Sequence, residues 1–291
     1  MVVIERVTKV CCSVIILLLS IFGMSAYGAS NRTLQVKGSD TMVNLGQAWA
    51  EEFMHQHPDV SIAVTGGGSG TGIAAILSGT CDIAQSSRDL KPEEIAKGKE
   101  KGKPIEVTEV AIDGLAVVVN PSNPVTLLTL DQLSGIFTGK IKNWKELGGH
   151  DLPILILSRE RNSGTHVYFL EHVLRHGNAK GPEEFSSTAL MMLSSQAIIQ
   201  EVESSEGAIG YVGLGYVTTK EKILGIAKSP DGPSSQPSIE TARSGDYPIS
   251  RPLYFLTRGE PQGEIKAFVD FVLGPQGQEI VQALDFVPLK K

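Results

Sequence analysis

Cysteine is scarce in this chain: only three occur in 291 residues, at positions 11, 12 and 81. Cys11 and Cys12 fall in the opening stretch MVVIERVTKVCCSVIILLLSIFGMSAYGAS, where Arg6 and Lys9 precede an apolar run ending near Phe22, and the small residues Ala26 and Gly28 follow. That layout reads as a secretory signal, residues 1–28, cleaved after Gly28. Its apolar run is short of the roughly 20 residues that a membrane span needs. The two cysteines precede the apolar core, so they are poorly placed to carry a lipid on a mature amino terminus, and they leave with the signal. Cys81 then stands alone, which excludes an intramolecular disulfide and a cysteine-based metal cluster. Within SGTCDIA it reads as a small buried residue.

An excess of positive charge is also missing. The formal net charge is -6, so no broad attraction to nucleic acid or to an anionic membrane is expected, and any anion site must be local. Several chemical signatures are absent too. No HExxH occurs, and His172 and His176 in EHVLRH, though spaced i, i+4, read as one exposed face of an amphipathic helix. No G-x-S-x-G elbow surrounds a serine. GGGSGTG lacks the Lys-[Ser/Thr] ending of a nucleotide-binding P-loop and does not fit G-x-G-x-x-G. Aromatic residues make up 6% of the chain, and Trp49, Trp144, Phe53 and Tyr168 read as core or lobe-surface residues rather than stacking platforms. There is no tandem repeat and no low-complexity tail.

What is present is ordinary globular composition, 41% hydrophobic and 20% charged, enough for one large domain or two lobes. Short β-branched runs (LQVKGS, VSIAVTGG, CDIAQSS) alternate with helical patterns, which predicts a parallel α/β architecture. EVAIDGLAVVVNPSNP is the longest apolar strand candidate, able to link two lobes, and RPLYFLT reads as a second crossing strand. GEIKAFVDFVLGPQGQEIVQAL predicts two helices parted at Gly274-Pro275, and SPDGPSSQPSIETARSGDYP a surface stretch with little regular structure.

Three segments share one design, hydroxyl residues and glycine immediately before an apolar helix: KGSDTMVNLGQAW with Ser39 and Thr41, TGGGSGTGIAAIL with Ser69 and Thr71, and RNSGTHVYFL with Ser163 and Thr165. Singly, each hydroxyl is a plausible N-cap; together they point to a ligand, because helix starts present unpaired amides and glycine lets the main chain come close. Such donors can hold an anion without a large net charge. SSRDL adds Ser86, Ser87 and Arg88 at the end of another strand, where ligands sit in open α/β sheets. Arg159 and Arg161 flank the third segment, and a guanidinium fork matches a tetrahedral oxyanion. For Arg88, an ion pair with Asp89 or a nearby acid is an equal alternative.

Taken in order, KGSDTM, GGGSGTGI, DIAQSSR, IDGLAVVVNP, RERNSGT and FVDFVLGPQGQEIV resemble the phosphate-binding proteins of ABC importers over nearly all of the mature chain. The resemblance implies an α/β, two-lobed, hinged periplasmic-binding-protein fold, each lobe a mostly parallel sheet flanked by helices. Residues 29–113 and 253–291 would form one lobe and residues 114–252 the other. It implies no catalysis, metal or cofactor, but capture of one dehydrated inorganic phosphate in the periplasm by a monomer that delivers it to a membrane ABC permease. A receptor for sulfate or molybdate, and more remotely a secreted phosphate-ester hydrolase, are the alternatives. Carried over by position, the ligands are Ser39, the backbone at Asp40 or Thr41, Ser69, Ser87, Arg159, Ser163, Gly164 and Thr165, with Arg88 beside them. Two positions depart from the pattern. Ser87 stands where a carboxylate takes the proton of hydrogen phosphate, and Arg161 where an acid steadies the arginine. Asp40 is the nearest replacement acceptor; Asp113 is a second, with a hinge or capping role preferred.

Overall fold

The computed structural model describes residues 33–289, so the signal-sequence expectation for residues 1–28 lies outside the described residues. In chain order, β1 (Leu34–Gly38), α1 (Val43–Gln56), β2 (Ile62–Thr65), α2 (Ser69–Ser78), β3 (Ile83–Ser86) and α3 (Pro92–Glu100) lead into the long strand β4 (Ile105–Val119). There follow β5 (Leu127–Thr129), α4 (Leu130–Phe137), β6 (Leu155–Arg159), α5 (Gly164–Phe169), β7 (Leu190–Met192), α6 (Ser195–Ser204) and β8 (Ala208–Gly213). The chain ends with β9 (Lys222–Ile223), β10 (Gly225–Ala227), β11 (Ser234–Ser235), α7 (Ile239–Ser244), β12 (Ser250–Arg258), α8 (Gly263–Leu273) and α9 (Pro275–Ala283).

The sheet order is β2-β1-β3-β12-β4-β8-β6-β7, with β9 also on β4, and β11-β10-β5 forms a small second sheet. Parallel pairing holds within β2-β1-β3 and within β8-β6-β7. Between these sets, β12 runs antiparallel to both β3 and β4, and β4 runs antiparallel to β8. The main sheet is therefore mixed and continuous, where the sequence predicts mostly parallel sheets. The cause is the pair of crossing strands: β4, at 15 residues, is long enough to serve both parallel sets in succession. Alternation along the chain reveals that strands and helices take turns; it does not fix strand direction.

Hydrophobic packing follows the same division. One cluster joins Trp49, Phe53, Val110, Ala111, Leu253, Phe255 and Phe268; another joins Leu115, Val117, Phe137, Phe169, Tyr211, Tyr247 and Ile249. The change of cluster thus falls between Ala111 and Leu115 on β4 and, where β12 begins, between Ile249 just before the strand and Leu253 on it. Trp49 and Trp144 are both buried, each donating its indole N–H to a glycine carbonyl, Gly277 and Gly207 respectively. Cys81 is buried as well, and burial pushes its thiol up to about 11, which leaves it inert.

Two local expectations change. The Pro/Ser-rich stretch holds β11 and α7, because Ser238 caps that helix through Thr241 N in a reciprocal box that its composition hides. The helix after Ser163 widens into a π turn at Leu170–Leu174.

Candidate functional site

Of the three hydroxyl-led helix starts, only one uses its hydroxyl as a cap: Ser163 accepts from His166 N. Ser39 precedes a short 3-10 turn, Asp40–Met42, and Ser69 is already the first residue of α2 behind Gly68; neither start is capped by a side chain. Their hydroxyls turn toward one another across the ends of the strands. Ser39 Oγ donates to Ser87 Oγ at 2.9 Å, Ser69 Oγ lies 3.3 Å from Ser87 Oγ, and Ser87 N donates to Ser69 Oγ at 3.0 Å. Gly164, first residue of α5, faces this trio so closely that a Cβ there would lie 2.3 Å from Ser69 Oγ and 2.6 Å from Ser87 Oγ. The next residue, Thr165, places Oγ1 2.9 Å from Thr41 Oγ1. Loops following β1, β2, β3 and β6 thus converge, at the carboxyl ends where such sheets hold ligands. Ser39, Thr41, Ser69, Ser87, Ser163 and Thr165 are each no more than 2% exposed.

The loop before α5 is also pinned to the start of α2. Asn162 O accepts from Gly70 N at 2.9 Å, and Asn162 Nδ2 donates to Gly67 O at 2.8 Å and to Thr71 Oγ1 at 3.1 Å. Gly68 allows this approach: its φ is +88°, and a Cβ would sit 2.8 Å from Asn162 O.

The charged candidates divide. Arg159 is fully buried beside the cluster; its Nη1 lies 3.2 Å from Asp40 Oδ2 and donates to Ser195 Oγ, while Nε and Nη2 donate to the carbonyls of Met192 and Leu193. Asp40 Oδ2 also accepts from Ser195 N and Ser195 Oγ at the start of α6. Asp40 is therefore the carboxylate that steadies Arg159, from the far end of the chain segment, while Arg161 stands exposed. Arg88 takes the alternative that the sequence left open. Its Nη1 and Nη2 fork onto Glu94 at 2.9 and 2.8 Å, and Nη1 donates to Asp89 O. Burial raises the Glu94 carboxyl, but the Arg88 and Lys91 hydrogen bonds outweigh it and hold the group below its ordinary value.

Two residues that local patterns did not mark complete the arrangement. Arg251 on β12 faces Asp113 on β4 as a register pair, its Nη2 2.9 Å from Asp113 Oδ2. The same Nη2 donates to Thr165 Oγ1 at 2.9 Å and Thr41 Oγ1 at 3.3 Å. Asp113 is fully buried, and that burial raises its carboxyl against the pull of the guanidinium. Ser195 is the other, joining Asp40 to Arg159. An arginine inside an apolar strand and a serine at an unremarkable helix start carry no signal that local spacing could detect. What the assembly offers chemically is a dry concentration of hydroxyls and helix-start amides, with each guanidinium balanced by a carboxylate, suited to a small anion whose water is stripped away.

A family model described as the PBP superfamily domain matches residues 25–276. The phosphate-binding protein PstS of Bacillus subtilis is 36% identical over 259 residues, covering 88% of this chain and 81% of that protein. The protein of the same name from Pseudomonas aeruginosa is 31% identical, covering 91% and 85%. Among solved structures, a putative phosphate ABC transporter substrate-binding protein from Clostridium perfringens, with bound phosphate, superposes with a TM-score of 0.79 at 35% identity, covering 89% of this chain and all of that one. Since both the sequence matches and the shared architecture run through nearly the whole described chain, it belongs to the PBP superfamily and, within it, to the family of phosphate-binding proteins of ABC transporters.

Proposed function

We propose that this protein captures inorganic phosphate outside the cytoplasm and passes it to an ABC permease, acting by binding and not by catalysis. The observation that carries the reading is the convergence of Ser39, Ser69, Ser87, Gly164 and Thr165 from four separate loops on one buried point. Relatives that share most of the chain are named for phosphate binding, and the Clostridium perfringens structure holds phosphate. No helix among the described residues is long and apolar enough to cross a membrane.

In this reading, residues 29–113 and 253–291 form one lobe and residues 114–252 the other, with β4 and β12 as the crossing strands. The change of hydrophobic cluster on those two strands supports the division. Ser39, Thr41, Ser69, Ser87, Ser163 and Thr165 supply hydroxyl donors, the amides of Gly164 and Thr165 lie in the first turn of α5 where the helix gives them no partner, and Arg159 offsets the anion's charge. Asp40 and Asn162 bridge the loops as the lobes close. Closure removes water, which strengthens every one of these contacts, and the difference in affinity between open and closed forms drives the motion. Arg88 spends its fork on Glu94 and so organises the Ser86–Asp89 loop beside the site.

Calorimetry of ligand-stripped protein against phosphate, arsenate, sulfate and molybdate tests the assignment. Phosphate and arsenate should bind far more tightly than the other two; equal affinities would point to a general oxyanion receptor. Arg159→Ala should weaken phosphate binding roughly a hundredfold, the loss expected when a shielded positive charge is removed from beside the anion, while the circular dichroism spectrum is kept. An unchanged titration would remove Arg159 from the site.

A further inference from the structure

Arg251 is among the most deeply buried side chains of the molecule, at 1% exposure, and its hydrogen bonds are unevenly spread. The edge of the guanidinium formed by Nε and Nη2 lies against Asp113 Oδ2, at 3.3 and 2.9 Å. The end of the fork, formed by Nη1 and Nη2, points the other way. There Nη2 reaches Thr165 Oγ1 and Thr41 Oγ1, while Nη1, equally buried, has no hydrogen-bond partner. The guanidinium is planar, so the outward hydrogens of Nη1 and Nη2 run parallel, and the unpartnered donor is directed alongside the two threonine hydroxyls. Tyr168 closes the assembly on one side, its ring centroid 5.4 Å from the guanidinium carbon.

A pair of strands needs no such arrangement for stability. A buried donor of a charged group left without a partner is costly, and an apolar pair of similar volume at positions 113 and 251 would fold at least as well. Arg159 makes a contrast, because its nitrogens are engaged by Asp40, Ser195 and two carbonyls. Arginine is also a pure donor. Thr165 and Thr41 must accept from Nη2, and since only one of them can donate to the other across their 2.9 Å contact, a hydroxyl proton remains to be turned outward.

We propose that Arg251 is the second cation of the anion site, held by Asp113: Nη2 fixes Thr41 and Thr165 as proton donors, and Nη1 donates to an oxygen of the same bound oxyanion. This rests on the phosphate-capture reading given above. It gives the site two guanidinium groups in different roles, Arg159 setting the potential from a committed position and Arg251 contributing a direct hydrogen bond. It also couples binding to the crossing strands, because Arg251 and Asp113 sit opposite each other on β12 and β4.

The test uses the full mature chain and two measurements, phosphate titration by calorimetry and thermal unfolding without ligand. Arg251→Met combined with Asp113→Asn removes the pair without stranding a buried charge. This double variant should melt cooperatively close to the parent and bind phosphate about 10- to 100-fold more weakly. Arg251→Lys keeps the charge but not the fork, and should recover part of that loss. Parent-like phosphate affinity in the double variant would overturn the proposal and leave the pair a purely structural one. If the double variant does not fold, parent-like affinity in Arg251→Lys overturns it equally. A parent protein that takes up no phosphate would instead defeat the underlying reading, a result distinguishable because it precedes any substitution.

Discussion

Gly164 shows how narrow the tolerance of this site is. As the first residue of α5 it has no conformational need to be glycine, and alanine is the better helix former by up to about 1 kcal/mol. Its reason for being glycine lies in Ser69 Oγ and Ser87 Oγ, which a Cβ would meet at 2.3 and 2.6 Å. Gly164→Ala should therefore weaken phosphate binding more than tenfold while moving the melting temperature far less, checked by calorimetry alongside thermal unfolding. A parent-like affinity would show that the serines yield without consequence and that the closeness is incidental. Ser39, Ser69 and Ser163 were legible as candidates because a hydroxyl before a helix is a local pattern. Arg251 was not, since it meets Thr165 86 positions away and sits in a strand whose other members are mostly apolar. Arg88 was legible only as an ambiguity: whether a guanidinium turns to a ligand or to Glu94 depends on where α3 is placed.

Between elements, the loop preceding α5 and the start of α2 act as a clasp. Asn162 contributes a carbonyl and two side-chain hydrogen bonds to it, and Gly68 makes room. The side-chain bonds are exposed to solvent, so together they are worth about 1 kcal/mol, or roughly fivefold in equilibrium. Asn162→Ala should raise the phosphate dissociation rate by about that factor in stopped-flow measurements and leave the association rate nearly unchanged. An effect confined to association would mean that these loops meet before the ion arrives. Element types and order were largely readable from alternation and from the Gly274-Pro275 break. The direction of β12 was not, and with it went the mixed character of the sheet: a run of apolar residues looks the same in either direction, and only its partners decide.

At the scale of the whole molecule, stability should depend on pH through His166. Burial against Phe185 and Ser158, together with the nearby charges of Arg161 and Arg159, lowers its imidazole from 6.5 to about 4, opposed by a backbone contact at Arg159. The folded state therefore holds His166 neutral where the unfolded chain would protonate it. Its contribution is complete above pH 6.5 and is lost as pH falls toward 4, amounting to about 1.5 kcal/mol between pH 6.5 and 5. Urea unfolding at these two pH values should show that loss in the parent and a smaller one in His166→Asn. Identical losses in both would place the acid sensitivity elsewhere, among the carboxylates.

The amino-acid sequence by itself determined what neighbours within a few residues can settle: where most of the helices begin, which hydroxyls and glycines stand at those beginnings, and that strands and helices alternate. These follow from backbone capping and side-chain periodicity, which act over one or two turns. Only the tertiary structure decided which charges meet. Asp40 reaches Ser195 across 155 positions and Arg251 reaches Asp113 across 138. A buried charge is tolerable only with its partner in place, and that partner is supplied by sheet order and register, properties that exist only after the chain has folded.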